Sequence, residues 1–382
     1  MVAASAIAGT RAFYADVENS TANKISAGNL DLKVDSRCFY THNEAVMECV
    51  CDQSEPPLCT WQGGSLAGQA CGCSWQSKDL GNELFFNLDD IKPYDLQQEA
   101  VSLYVEDNPS WICANVRLTK NDDESCTTEE KADDPDCDDP AIIDKYSVPG
   151  APDANLWDGD LARHINYVFW ADDGDNVLET GEKVLINGNA GRLPLGAGNP
   201  GATYAIADSE FNGFGETIAP MPGKTVKYVA KAFCFGTLTL APVAPDTGAP
   251  GINPGFSCIG SGINNATQTD SMSGDITFWA VQARHQDGFT CRQLTEAPAY
   301  LTVDKIVSGG DKSPDDFWLT VDGMRVLRQA EYGFGAGTHQ VGEMALPNYT
   351  SSFGGDCSAT GTVELAPGAH KSCTITNVYN GL

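Results

Sequence analysis

Apolar residues in this chain recur with period two, in short runs broken by glycine and proline, and almost nowhere with the period of a helix. That pattern admits strands and little else. Candidates are Leu30 to Val34, Leu84 to Asn87, Ala100 to Val105, Trp111 to Leu118, Ile165 to Trp170, Lys183 to Ile186, Thr225 to Phe235 and Gly274 to Arg284. Many short strands joined by Gly- and Pro-rich turns imply two packed sheets, so the expected class is all-β. The first candidate lies further upstream, at Phe13 to Glu18, with Phe13, Ala15 and Val17 on one side and Tyr14, Asp16 and Glu18 on the other. It precedes a turn-rich Ser26-Ala27-Gly28-Asn29, so it needs a partner surface.

The cysteines set the compartment. There are 14, an even number, with no haem-attachment signature and no pair at zinc-finger spacing, which reads as disulfides in an exported protein. Three pairs are expected from proximity and context: Cys357 with Cys373, Cys126 with Cys137, and Cys234 with Cys258. The other eight, Cys38, Cys49, Cys51, Cys59, Cys71, Cys73, Cys113 and Cys291, leave 105 connectivities open. Residues 1 to 10 read as the tail of a signal segment without its basic start, and Thr10-Arg11-Ala12 as a cleavage site. The formal net charge of -29, from 23 basic and 52 acidic residues, excludes nucleic acid as a partner, because phosphate contacts need Lys and Arg. No membrane span is expected in the mature chain.

Three units are expected. Residues 1–24 hold the signal-like remnant and the first strand. Residues 25–298 form a β-sandwich with insertions at 36–80 and 121–160. Residues 299–382 form a separate domain of immunoglobulin size, with strands at Leu301 to Val307, Phe317 to Val321, Gly337 to Glu343, Thr362 to Leu365 and Cys373 to Val378. Six cysteines between Cys38 and Cys73 mark the first insertion as a disulfide-stapled excursion outside the core. Ten acids against one lysine between Asn121 and Pro140 mark the second.

The segment AFYADVENSTANKISAGNLDLKV, followed by NLDDIKPYDLQQEAVSLYVEDNPSWICANVRL and SGDITFWAVQARHQDGFTC, resembles the TasA/camelysin-like family of secreted β-proteins over about Ala12 to Cys291. The resemblance implies a jelly-roll-like sandwich and a subunit of surface or biofilm fibres. In fibre-forming members the N-terminal strand of one subunit completes the sheet of the next. Phe13, Ala15 and Val17 would then be the face of a donor strand, and the partner a neighbouring copy of the chain, in a heterologous contact that propagates. The alternative is that the strand pairs within its own subunit, leaving a monomeric surface adhesin for a glycan or protein ligand.

LTVDKIV, HQVGEMALPNYT and KSCTITN, over about Tyr300 to Val378, resemble the prealbumin-like SpaA/Cna-B domains of pilins and adhesins. The resemblance implies an Ig-like/prealbumin-like sandwich and an internal isopeptide bond between a first-strand lysine and a last-strand asparagine, aided by an acid. Strand parity puts Lys305 with Leu301 and Val303, Glu343 with Val341, and Asn377 with Ile375, all where a core should be. A buried Lys–Glu ion pair without a covalent bond, or a register turning Lys305 outward, stays open beside it.

ADDGDNVLETGE, Ala171 to Glu182, resembles twelve-residue calcium loops, with Asp173, Asp175, the Val177 carbonyl, Glu179 and Glu182 at ligand positions and Asp172 standing in for the first. Position one is Ala171 and position six Asn176, both departures, and a solvated acidic hairpin is the alternative. No HExxH and no GxSxG occur, and the five histidines are scattered, so no enzyme is expected. Trp111, Trp170, Trp279 and Trp318 fall in or beside strand candidates and read as core or sheet-face residues ahead of a sugar platform. Asn19, Asn265 and Asn348 open N-x-S/T sequons, candidate glycosylation sites.

Overall fold

The computed structural model describes residues 15–19, 32–134, 137, 157 and 159–381, apart from 53, 55, 80–83, 87, 197–198, 295–298 and 367. Phe13, the cleavage-site residues and most of the second insertion lie outside the described residues. Before residue 295 the strands are β1 (Ala15–Asn19), β2 (Leu32–His42), β3 (Ala45–Cys51), β4 (Cys59–Gln62), β5 (Trp75–Lys78), β6 (Leu96–Val105), β7 (Ser110–Asp123) and β8 (Ile165–Asp172). They continue with β9 (Val184–Asn189), β10 (Ala202–Ala207), β11 (Thr225–Phe235), β12 (Thr237–Leu240), β13 (Phe256–Ile259) and β14 (Asp270–Gln282). The α-helices among the described residues are single turns, α1 (Glu130–Asp133) and α2 (Leu161–His164).

One sheet has the order β1-β14-β7-β10; a larger one runs β4-β3-β2-β6-β11-β8-β9, with β5 also on β2. Alternation explains how they stack. Along β7, Ile112, Ala114 and Val116 face Val101, Leu103, Phe169 and Val229 of the larger sheet, while Trp111 and Cys113 pack outward with Val281 and Phe289. Both faces of β6 are covered, so the strand is buried at nine of its ten positions and tolerates only a continuous buried run.

The fold class is all-β, as the period-two pattern requires. Several local expectations need correction. Residues 36–80 are no excursion outside the sheet: β2 runs on through Cys38, and β3 and β4 extend the sheet from its edge. Their small core, Cys38, Tyr40, Met47, Cys49, Trp61 and Cys73, uses the cysteines as apolar filler as well as staples. Leu84 to Asn87 forms no described strand; Phe85 drops into the sandwich as a buried plug instead. The stretch from Gly196 to Gly223, where no strand is expected, contains β10, in which Tyr204 and Ile206 alternate with the smaller Thr203 and Ala205.

Residues from 299 on build β15 (Ala299–Ser308), β16 (Leu319–Val321), β17 (Met324–Val326), β18 (Glu331–Phe334), β19 (Gly337–Glu343), β20 (Tyr349–Gly355), β21 (Thr362–Leu365) and β22 (His370–Tyr379). They form two four-stranded sheets, β18-β15-β22-β20 and β17-β16-β19-β21, with β15 and β22 parallel. Among the described residues no sheet mixes strands from the two sides of residue 298. Backbone contact between the two parts runs through Leu195 N–H to the Gly333 carbonyl, 3.0 Å.

Candidate functional site

The best-formed cluster of reactive side chains lies inside the C-terminal sandwich. Along β15, Ala299, Leu301, Val303 and Lys305 are the buried positions, and along β22 they are Cys373, Ile375 and Asn377. The parallel ladder sets Lys305 opposite Ile375 and Asn377 opposite Val307, so amine and carboxamide are diagonal neighbours on one face of one sheet. Glu343 reaches in from the facing sheet, where it pairs in register with Leu319. The Lys305 Nζ contacts the Glu343 carboxylate and stands 4.3 Å from the centre of the Phe317 ring. Lys305 is 3 % exposed and Asn377 1 %, and the Asn377 Oδ1 has no hydrogen-bond partner.

The chemistry of this arrangement is legible. Burial lowers the affinity of Lys305 for its proton, opposed by the Glu343 contact, which brings the neutral nucleophilic amine within reach. The Asn377 Oδ1 is a buried acceptor without a donor, and a donor brought to it would polarise the carboxamide carbon. An unpaired buried acceptor costs about 1–3 kcal/mol. The structure brings Lys305 and Glu343 into contact and places Asn377 on the same sheet face as Lys305.

The acidic loop is assembled only in part. Asp172, Asp173 and Glu182 bring carboxylate oxygens within 4.8 Å of one another. The other three positions of the twelve-residue pattern point elsewhere. Asp175 accepts from Val177 N–H at 2.9 Å, Glu179 from Asp246 N–H at 2.6 Å, and the Val177 carbonyl from the Trp170 indole at 3.3 Å. Asn176, at φ 65°, takes the left-handed turn that a glycine would supply at position six, so the departure in residue type does not alter the turn. Burial pushes Glu182 up to about 8 and Asp172 up to about 6, with neighbouring carboxylates adding to both. Those three residues could hold one hard cation, but the full loop geometry is not present.

Sequence reading missed a second carboxyl group cluster. Asp123, Glu130 and Asp270 also place oxygens within 4.8 Å. The first two were visible in the acidic insertion, but only the β14–β7 ladder, which sets Asp270 opposite Asp123, reveals the third.

Described disulfides join Cys357 to Cys373, Cys126 to Cys137 and Cys234 to Cys258. The remaining eight cysteines pair as Cys38–Cys73, Cys49–Cys71, Cys51–Cys59 and Cys113–Cys291. No thiol is left free among the described residues. Seven such bonds fit an extracellular or surface protein, outside the reducing cytosol. No described helix is long and apolar enough to cross a membrane.

Of the donor-strand positions, Ala15 and Val17 lie in β1, whose backbone pairs antiparallel with β14 of the same chain, Ala15 opposite Val281 and Asn19 opposite Thr277. This places β1 at the edge of its sheet. Asn19 lies in that strand, while Asn265 and Asn348 are exposed, Asn265 with its side chain on Asp133 at 3.0 Å. Trp111 and Trp170 are buried, their indole N–H groups donating to the Gln286 carbonyl and to Asp172, and Trp318 carries the Arg325 guanidinium at 4.6 Å. His42, His339 and His370 each meet a carboxylate, of Asp95, Asp322 and Glu331.

No protein-family model and no curated protein matches the chain. One solved structure is similar at a TM-score of 0.17 and 12% identity, over 77% of this chain and 93% of the other: a bacterial adhesin from Mobiluncus mulieris containing intramolecular disulfide, isopeptide and ester bond cross-links. A likeness so distant carries no argument about this chain.

Proposed function

We propose that this chain is a secreted, non-enzymatic structural subunit of an extracellular filament, joined to its neighbours by exchange of β1 and hardened by an internal Lys305–Asn377 bond. The observation that carries the first part is the position of β1. It is an edge strand held in its sheet by a single neighbour, β14, and twelve residues of sequence, 20 to 31, separate it from β2. An edge strand bound by one ladder can be replaced by an identical strand from another copy, with every hydrogen bond re-formed. The resemblance of residues 12 to 291 to TasA-like fibre proteins supports the same reading. The alternative, a monomeric adhesin that keeps β1 for itself, is favoured by the pairing of β1 with β14 within the single chain.

For the second part, the support is the burial of Lys305 and Asn377 on one face of one sheet, with the Glu343 carboxylate on the Lys305 amine. The Lys305 Nζ would attack the Asn377 Cγ, the Cγ–Nδ2 bond would break, and Glu343 would carry the amine proton to the departing ammonia. It is a single event without turnover. A cation at Asp172, Asp173 and Glu182, calcium by the chemistry of its oxygen ligands, is a further expected brace.

Electron microscopy of the purified chain beside a chain lacking residues 1–19 tests the polymer reading. Filaments from the first and none from the second support it, and a peptide spanning residues 12–24 should then cap growth. Monomers from both at every concentration would leave the adhesin reading.

A further inference from the structure

At the centre of the larger sheet sits a second buried amine. Lys231 on β11 is 1 % exposed and Glu99 on β6 0 %. The two are directly opposed in the antiparallel register, and the Lys231 Nζ contacts the Glu99 Oε2. Around the ammonium are the rings of Phe233 at 4.7 Å and Phe85 at 5.2 Å. An ion pair buried so deeply seldom stabilises a core more than apolar side chains of the same size.

Beside the pair is a carboxamide. Gln97 is two residues before Glu99 on the same strand, hence on the same face, and is 2 % exposed. Phe233 is its partner in register, so Gln97 lies diagonal to Lys231 across the β6–β11 ladder. One backbone oxygen joins the reacting groups: the Phe85 carbonyl accepts from the Gln97 Nε2 at 2.8 Å and from the Lys231 Nζ at 3.4 Å. That contact also fixes which end of the amide is nitrogen. The Gln97 Oε1 and the Glu99 Oε1 are both buried without a hydrogen-bond partner. Two bare acceptors two residues apart on one face become a donor and an acceptor if Glu99 carries a proton. Burial favours that proton arrangement, raising Glu99 to about 7 and lowering Lys231.

We propose that Lys231 and Gln97 form an intramolecular isopeptide bond across β6 and β11, with Glu99 as the proton carrier. The Glu99 carboxyl donates to the Gln97 Oε1, and the neutral Lys231 Nζ attacks the Gln97 Cδ to form the new C–N bond. As the tetrahedral centre collapses, Glu99 relays the lysine proton to Nε2, the Cδ–Nε2 bond breaks, and ammonia leaves. Amine and primary amide become secondary amide and ammonia, with no oxidant or co-reactant. The Phe85 carbonyl, already shared by both nitrogens, then accepts the N–H of the product.

The bond is independent of the strand-exchange reading and of the Lys305 site, and peptide mapping separates them by residue. The full-length chain is reduced, alkylated, unfolded and digested with trypsin. The expected result is one joined peptide pair, linked through 97 and 231 and lighter than the two free peptides by one ammonia. Cleavage after Lys231 should be absent, and an amine-reactive reagent should leave Lys231 untagged in denaturant. In Glu99→Gln the two peptides should separate and Lys231 should be tagged. Free, tagged Lys231 in the native sequence would overturn the proposal, whether or not the variant folds. A joined pair persisting in Glu99→Gln would overturn the role given to Glu99.

Discussion

Asn377→Ala separates a covalent staple from an ion pair. The substitution removes the electrophile and leaves the Lys305–Glu343 contact in place. In the non-covalent protein it deletes a buried acceptor that has no partner, relieving about 1–3 kcal/mol, against a small cavity worth roughly 1 kcal/mol, so no net stability is lost. In the cross-linked protein it also opens the loop from residue 305 to residue 377. Constraining a loop of that length in the unfolded chain stabilises by about 4 kcal/mol on the chain-entropy estimate. The Cys357–Cys373 bond already shortcuts part of the loop, but the dependence on length is logarithmic and the correction is only about 0.2 kcal/mol. If the C-terminal sandwich melts as its own unit, a loss of that size lowers its transition by roughly 15–30 °C. Intact mass of the reduced protein and calorimetry are the two readouts. The expected outcome is a native mass lower than the sequence mass by one ammonia at this site, a variant without that deficit, and the large fall in melting temperature. A native protein without the deficit, or a variant that melts within a few degrees of it, would refute the reasoning.

Replacing Cys113 and Cys291 together by alanine should cost about 5 kcal/mol by the same estimate, against about 2.5 for Cys51 and Cys59, because their sequence separations are 178 and 8; paired denaturant titrations check the ranking. Calcium at a hundredfold excess over its Kd should stabilise the folded chain by about 2.7 kcal/mol, an effect that Glu182→Gln removes in thermal melts. Burial pushes Asp270 up to about 8, with Asp160 and Glu130 adding repulsion against two amide hydrogen bonds that oppose it. An acid that binds its proton more tightly when folded contributes stability that is full below about pH 4 and lost as pH rises towards 8, by a few kcal/mol at most. Asp270→Asn should flatten that part of the stability profile.

What could be read from the sequence follows from how locally each feature is determined. Strands such as Thr225–Phe235 announce themselves because their neighbours impose one alternation along the whole length. Lys305, Glu343 and Asn377 were accessible because each breaks an apolar face at a countable position. Gln97, Glu99 and Lys231 were not, since β6 is covered on both faces and its run Leu96-Gln97-Gln98-Glu99 looks polar until two layers close over it. The acidic loop is the opposite case. Spacing alone suggested a ligand set, but backbone amides of the same loop compete for the carboxylates, and a pattern of residue types does not reveal that competition.

The same local-versus-distant competition decides between filament and monomer. Strand exchange re-forms the five residue pairs between β1 and β14 unchanged, so the ladder itself favours neither state. What differs is the tether. A strand joined to its own sheet by a short connection competes at an effective concentration of order millimolar. On the proposed filament reading, free subunits at micromolar concentration should stay closed, and filaments should form only where subunits are crowded. Once too few of the twelve residues from 20 to 31 remain for the strand to reach β14 of its own chain, the closed state is removed. Stepwise deletion should shift the onset of filaments to lower subunit concentration, read by light scattering and microscopy. A shortened chain that remains monomeric, with β14 protected from hydrogen exchange as in the parent, would mean that β1 is a fixed part of its own sheet.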